Sequence, residues 1–297
     1  MNVYVTGAGG LVGNALLPLL KDAGHKVIAL TRSEPKDDQQ RQWDPQAETM
    51  DPAVLDGCDV LVHLAGESIA EGRWTKDKKR KIYDSRVNST KLLAKTISQM
   101  DAKPKAFIVA SAIGYYGDRD TEVLTESSPP GEGYLPEVCV HWEEAADAAR
   151  DAGIRTVHVR TGVVLAKEGG ALKAMLTPFK LGVGGNMGNG KQYWSWISLE
   201  DIARLFHFAV ENESMIGPVN GTAPNPCTNH EFTKALGKVI SRPTLIPMPK
   251  FAAKLVLGEM AEALILASAR VMPVTAEEQS FQFQHPELVQ ALESLNL

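Results

Sequence analysis

The run Thr6-Gly7-Ala8-Gly9-Gly10-Leu11-Val12-Gly13 carries the groups best suited to holding a phosphate. It follows an apolar stretch that reads as a strand and opens an amphipathic stretch that reads as a helix. In that setting Gly7 permits a tight turn. Gly10 lets a pyrophosphate approach the backbone, and Gly13 lets the helix pack against its sheet. The first helical turn, with Leu11 and Val12, offers unpaired N–H groups and partial positive charge. The three glycines are spaced three and three, not two and three as in the commoner dinucleotide loop. A second strand, Val27-Ile28-Ala29-Leu30, runs into Thr31-Arg32-Ser33. No acid stands at its tip to bind a ribose 2′-hydroxyl, whereas Arg32 offers a fork of donors to a 2′-phosphate. These residues point to NADP(H) over NAD(H). Arg41 is a weaker second candidate.

Groups fit for acid–base work cluster in Ser111-Ala112-Ile113-Gly114-Tyr115-Tyr116-Gly117. Ser111, Tyr115 and Tyr116 are the candidate catalytic side chains, with Glu67 and Glu137 as further proton carriers. Arg86 and Arg160 would place positive charge near a cofactor. Cys139 reads as a small buried helix residue and not as a nucleophile. His63 lies in a buried-strand pattern and reads as a packed core histidine. Asp201 is placed to charge the first turn of a helix. Trp194 and Trp196 suit a pocket wall or a core equally. The run Lys78-Lys79-Arg80-Lys81 reads as a solvated helix face. Cys58, Cys139 and Cys227 have no metal-ligand spacing, and no metal site is expected.

The elements that must position these groups follow from apolar periodicity. Strands are predicted at Asn2–Thr6, Lys26–Thr31, Asp59–Leu64, Ala106–Ser111 and Thr156–Arg160. Helices are predicted at Leu11–Ala23, Lys76–Met100 and Pro136–Ala152. Repeated β–α order means parallel strands with crossover helices, hence an α/β, Rossmann-type, doubly wound sheet. After Val164 the rhythm breaks into glycine-rich loops, notably Leu181–Gly190. Helices return at Leu199–Glu211, Thr228–Ile240, Phe251–Leu257, Glu259–Arg270 and Pro286–Leu295. We expect a dinucleotide-binding domain over 1–165, to which some later segments return. A smaller substrate-side region over 166–297 would include a helical extension at about 247–294. The net charge of −5 argues against broad polyanion binding such as nucleic acid. Phe251–Ala269 carries Lys254, Glu259 and Glu262, a poor membrane span. The odd cysteine count and the lack of an N-terminal signal point to the cytoplasm. The expected partner is a small-molecule substrate. A homodimer is left open.

These residues resemble the extended, epimerase/dehydratase-like short-chain dehydrogenase/reductase superfamily. Leu64-Ala65-Gly66 is similar to its loop beside the adenine ribose, and Arg86-Val87-Asn88-Ser89-Thr90 to its central helix. Ser111–Gly117, Arg160-Thr161-Gly162 and Trp196-Ile197-Ser198-Leu199-Glu200-Asp201 continue the likeness. Glu67, Arg73-Trp74, Trp142-Glu143 and the proline-rich C-terminal segment resemble the YfcH-like subfamily. The resemblance implies NADP(H) binding, with contacts from Thr6, Gly7, Gly10, Leu11, Val12, Gly13, Thr31, Arg32, Leu64, Ala65, Gly66, Glu67, Arg86 and Arg160. It implies no particular substrate. The chain departs from the superfamily at its Tyr-x-x-x-Lys pair, in which the lysine lowers the tyrosine pKa. Glu143 stands at the family's following Glu. Cys139 then falls at the lysine position and Leu135 at the tyrosine position, with Tyr134 one residue out of register. Two functions remain open: an NADP(H)-dependent oxidoreductase or epimerase with a rebuilt acid/base, or a non-catalytic NADP(H)-binding sensor or protein-interaction module. Only Arg73, Lys191 and Arg242 suggest an anion pocket for a second nucleotide.

Overall fold

The computed structural model describes all 297 residues. The strands are β1 (Asn2–Thr6), β2 (Lys26–Thr31), β3 (Gln40–Gln42), β4 (Val60–His63), β5 (Ala106–Ala112), β6 (Val123–Leu124), β7 (Arg155–Thr161), β8 (Val163–Leu165), β9 (Tyr193–Trp194), β10 (Trp196–Ser198), β11 (Gly217–Gly221), β12 (Cys227–Thr228) and β13 (Arg270–Val271). The helices are α1 (Leu11–Asp22), α2 (Lys76–Gln99), α3 (Tyr134–Glu144), α4 (Asp147–Asp151), α5 (Gly170–Lys180), α6 (Leu199–Glu211), α7 (Asn229–Val239), α8 (Lys250–Leu257), α9 (Val274–Glu278) and α10 (Leu288–Ser294). Seven strands form one sheet in the order β11-β7-β5-β4-β1-β2-β3. All its pairings are parallel.

The central strands are apolar throughout because both sheet faces are covered. Val3, Val5, Val62 and Ile108 face one way, into a core with Leu16 and Leu20 of α1 and Leu205 and Phe206 of α6. Tyr4, Leu61, Phe107 and Val109 face the other way. They meet Leu93 and Ile97 of α2, Trp142 of α3 and Ala149 of α4. This is the period-two alternation of a strand. A third core joins Phe179, Trp194, Trp196, Phe232 and Leu292, so both tryptophans are core residues. Both α6 and β11 come from beyond residue 165 and belong to the main sheet and its layers. No helix is long and apolar enough to cross a membrane.

Several segments differ from expectation. The helix predicted over Pro136–Ala152 is broken into α3 and α4. At Ala146 and Ala149 the backbone bonds tighten to carbonyls three residues back, which turns the chain. The helix predicted over Glu259–Arg270 is a wide turn at Ala261–Leu266, after which the chain extends into β13. β13 pairs with β6, far earlier in sequence, and that pairing outweighs local helix preference. β3 and β11 were not foreseen, because Gln-Arg-Gln and Gly-Pro-Val-Asn-Gly have loop composition. Their ladder partners β2 and β7 supply the order.

Candidate functional site

Chain order reverses between β1 and β4, and the crevice beyond their C-terminal ends is where ligands bind in such sheets. The register pairs Thr6 with both Leu30 and His63, so the loops after β1, β2 and β4 emerge side by side. Gly7 has φ 67°, and a Cβ there would lie 2.8 Å from backbone atoms of Leu64 and Ala65. A Cβ on Gly13 would lie 2.4 Å from the Gly7 carbonyl oxygen. The Gly10 amide donates to that same oxygen at 2.9 Å. α1 starts with no capping side chain and no acid in its first turn. The sequence thus builds a helix N-terminus whose donors are left for an anion.

A buried relay fixes this edge. The Thr6 hydroxyl oxygen accepts from the amides of Leu64 and Ala65 at 3.1 and 3.2 Å. Its one proton is therefore directed to His63 Nδ1, 2.6 Å away. His63 Nε2 then donates to Ser89 Oγ at 3.0 Å, and Ser89 donates to the Ser85 carbonyl. Burial, reinforced by Arg86, lowers the His63 pKa to about 3, so the ring stays neutral. His63 is a core histidine, and Thr6 is a strut between strands.

Beyond β2, the Thr31 hydroxyl pairs with Ser33 at 3.0 Å. Arg32 is exposed, and its guanidinium makes no hydrogen bond within the protein. Arg41 is engaged, donating to the carbonyls of Asp38 and Gln40. Beyond β4, the Glu67 amide donates to Ser85 Oγ, and Arg86 donates to the Glu67 carbonyl at 2.9 Å. The Arg86 guanidinium lies against Gly66, where a Cβ would be 3.3 Å from it, and over the Trp142 ring. Burial lowers the Arg86 pKa. Arg86 therefore stakes the Leu64–Glu67 loop from below. The Glu67 carboxylate pairs with Lys78 at 2.6 Å, and that hydrogen bond lowers its pKa. Lys79 pairs with Glu259 and lies over the Tyr134 ring. The lysine run is thus not simply a solvated face.

The C-terminal end of β5 is closed. Ser111 is aligned with Arg160 across β5 and β7. Arg160 holds both oxygens of Glu143 at 2.8 Å and donates to the Tyr116 hydroxyl at 3.0 Å. Ser111 donates to the same carboxylate at 2.7 Å. Tyr116 is wholly buried and donates to Asn220 Oδ1 at 2.7 Å. Burial, only partly offset by Arg160, pushes its pKa up to about 12. Burial opposes the charge on Arg160, but hydrogen bonding and attraction from Glu143 outweigh it and raise its pKa. These placements bear on two expectations. Tyr116 and Ser111 spend their hydroxyls inside the protein instead of presenting them to a ligand. Arg160 has every guanidinium nitrogen bonded internally. Tyr115 is different: it is half-buried, stacked 3.5 Å from the Arg160 guanidinium carbon, and its hydroxyl has no partner.

At the displaced pair, Leu135 and Cys139 pack against Gly114. Burial and the nearby Glu143 push the Cys139 thiol up to about 12, so it is inert. The Tyr134 hydroxyl donates to the Lys79 carbonyl, and burial takes it to about 12. Asp201 does more than charge a helix start. Ser198 caps α6, while the wholly buried Asp201 carboxylate accepts the amides of Gln284 and His285. Asn220, Ser85 and Lys78 were missed by the sequence reading. Asn220 had no signal, because it arrives on β11.

A parallel sheet with a glycine cradle at its switch point and a bare helix N-terminus defines a Rossmann-type dinucleotide-binding protein. The residues present fit such a ligand: side chains at Gly7 and Gly13 would collide with backbone, and no acid opposes the phosphates. The chain belongs to the NAD dependent epimerase/dehydratase family, whose model matches residues 3–220, and with it to the extended short-chain dehydrogenase/reductase superfamily. Residues 248–295 match a domain of unknown function, DUF1731. The chain is 40% identical over 290 residues to the epimerase family protein Mb2239 of Mycobacterium bovis, covering 98% of this chain and 96% of that one. It superimposes with a TM-score of 0.91 on a crystal structure of human epimerase family protein SDR39U1 with NADPH, at 34% identity and covering 99% of each chain. A nucleoside-diphosphate sugar epimerase from Corynebacterium glutamicum matches with a TM-score of 0.83 and 38% identity. That match covers 99% of this chain and 58% of the other.

Proposed function

We propose that this protein is an NADP(H)-dependent oxidoreductase or epimerase acting on a small molecule without the Tyr-x-x-x-Lys pair. The observation that carries the cofactor choice is Arg32, a guanidinium with no internal partner one residue past β2, where no carboxylate competes. That arrangement suits a 2′-phosphate. The NADPH bound to the human relative supports the same reading. Gly7, Gly10, Gly13 and the first turn of α1 would hold the pyrophosphate, and Leu64–Gly66 would flank the adenine ribose. When bound, the nicotinamide supplies a hydride donor or acceptor. The protein's part is to orient the substrate, exclude water and move a proton. Among the hydroxyls at the end of β5, Tyr115 is the one with no internal partner, and we assign it that proton. Ser111, Tyr116, Glu143 and Arg160 hold it in place. Arg73 and Arg242 donate to backbone carbonyls of separate segments, which does not favour a second nucleotide as substrate.

Paired fluorescence titrations with NADPH and NADH test the cofactor claim. Arg32→Ala is expected to weaken NADPH by about tenfold or more, the scale of a lost charge-assisted hydrogen bond, and to leave NADH unchanged. Equal losses for both cofactors would sink it. With a substrate found by screening carbonyl compounds for NADPH oxidation, Tyr115→Phe should cut turnover by about 10²–10⁴ at unchanged NADPH affinity. An unaltered rate removes Tyr115. The closed Ser111–Glu143–Arg160–Tyr116 network and the inert Cys139 favour a second reading, a non-catalytic NADP(H) sensor. Tight NADPH binding with no turnover across the screen would establish that one instead.

A further inference from the structure

The far end of α1 carries a second constellation. His25 lies in the turn between α1 and β2, and His207 and Glu211 lie one helical turn apart on α6. Because α1 packs on α6 in the main core, the three side chains converge. Their ligand atoms all lie within 4.8 Å of one another. His25 Nε2 is 3.3 Å from one Glu211 oxygen, and His207 Nε2 is 3.6 Å from the other. Both Nε2 atoms are buried, and neither makes a hydrogen bond. Two imidazoles that served only to pair with a carboxylate would close to hydrogen-bond geometry. These instead face the two carboxylate oxygens without a hydrogen bond from either ring. In a tetrahedral site with metal–ligand distances of about 2.0–2.1 Å, neighbouring ligand atoms sit roughly 3.3 Å apart. Two histidine nitrogens and a carboxylate form a donor set suited to zinc and its neighbours.

The surroundings allow a cation. Arg204, the nearest positive charge on the same helix, is held by Asp201 and by the Gln282 carbonyl. A groove of about 280 Å³, lined by Leu19, His207, Phe208, Glu211 and Phe281 among others, opens from the cluster to solvent. It gives an ion a path in and leaves room for water as a fourth ligand. The twelve residues of α1 separate this cluster from the glycine loop by about 18 Å of helix. We propose that His25, His207 and Glu211 bind one divalent ion of the zinc class, clamping the α1–β2 turn to α6 at the end of the sheet opposite the dinucleotide crevice.

The test uses untagged, chelator-stripped full-length protein equilibrated with Zn²⁺ or Co²⁺. The expected result is one zinc per chain at micromolar free metal, by mass spectrometry of the dialysed protein. Co²⁺ should give the intense visible absorption of a tetrahedral nitrogen/oxygen site, and zinc should raise the melting temperature. His25→Gln, His207→Ala and Glu211→Gln should each weaken zinc at least tenfold and abolish the cobalt band. Metal-free melts of the same variants verify that each is folded, and His25→Gln, in a turn, is the least disruptive of the three. Absence of stoichiometric binding by the parent protein overturns the proposal. So does undiminished binding in folded His25→Gln and His207→Ala, which would place the metal elsewhere.

Discussion

The two halves of the crevice edge differ in what they do with their polar groups. At the ends of β1 and β2, donors are left without partners: the first turn of α1 has no cap, and Arg32 has no counter-ion. At the ends of β5 and β7, Ser111, Tyr116, Glu143 and Arg160 satisfy one another. Open donors cost little at a solvated helix end and are ready for a ligand. The same groups buried beneath α3 are tolerable only because each is paired. The first half is built to receive something from outside. The second is built to stay as it is, and the Tyr115 hydroxyl is left free on it.

The closed half should be the more fragile when cut. Arg160→Met leaves the Glu143 carboxylate buried without its partner and should cost about 3–5 kcal/mol in urea unfolding. A loss under about 1 kcal/mol, the size of an exposed pair, would mean that the network is loose and the contrast is false. In the open half, Gly13→Ala drives a Cβ into the Gly7 carbonyl. It should cost about 1–3 kcal/mol of stability and weaken NADPH and NADH alike, unlike Arg32→Ala. Loss of NADPH alone in Gly13→Ala would contradict the cradle. The smallest effect tests an exception within the closed half. His158 on β7 is buried with neither ring nitrogen hydrogen-bonded, and burial lowers its pKa to about 4. The unfolded chain, with an ordinary histidine value near 6.5, takes up a proton first as pH falls. The folded state therefore loses stability as pH drops from about 6.5 towards 4. His158→Leu should raise stability by about 1 kcal/mol at neutral pH and flatten the slope over that window. His63, lowered to about 3, retains its own share. An unchanged slope would show that His158 does not contribute.

What the sequence disclosed follows the same division. The glycine cradle and Arg32 are legible because each depends on a short run of consecutive residues and a local strand–turn–helix context. The Ser111–Glu143–Arg160 network is not, because it depends on the register between β5 and β7 and on how α3 lies across them. The individual residues were singled out, but their mutual bonding was not. Asn220 was invisible because Gly217, Pro218 and Gly221 give its strand a loop's composition. The His25–His207–Glu211 cluster lies on elements distant in sequence and was not anticipated. Cysteine spacing, the signal consulted for metals, has no bearing on it. Both α6 and the five strands β1, β2, β4, β5 and β7 were read correctly because their apolar period is strong and their burial is continuous.

The late segment that supplies β13 has a consequence for the order in which the molecule is made. Its strand pairs with β6, Ser268 bonds to Asp118 and Asp120, and the amides of Gln284 and His285 close on Asp201. Each contact joins residues made early or midway to residues made much later. Emerging from the ribosome, β1 to β5 hold most of their ladder partners and can assemble during synthesis. The later region cannot, because its closing contacts lie at large sequence separation, where chain closure is slow. Until that segment emerges, the nascent protein carries a nearly complete cofactor crevice beside an unfinished wall, with the Asp201 carboxylate still exposed to water.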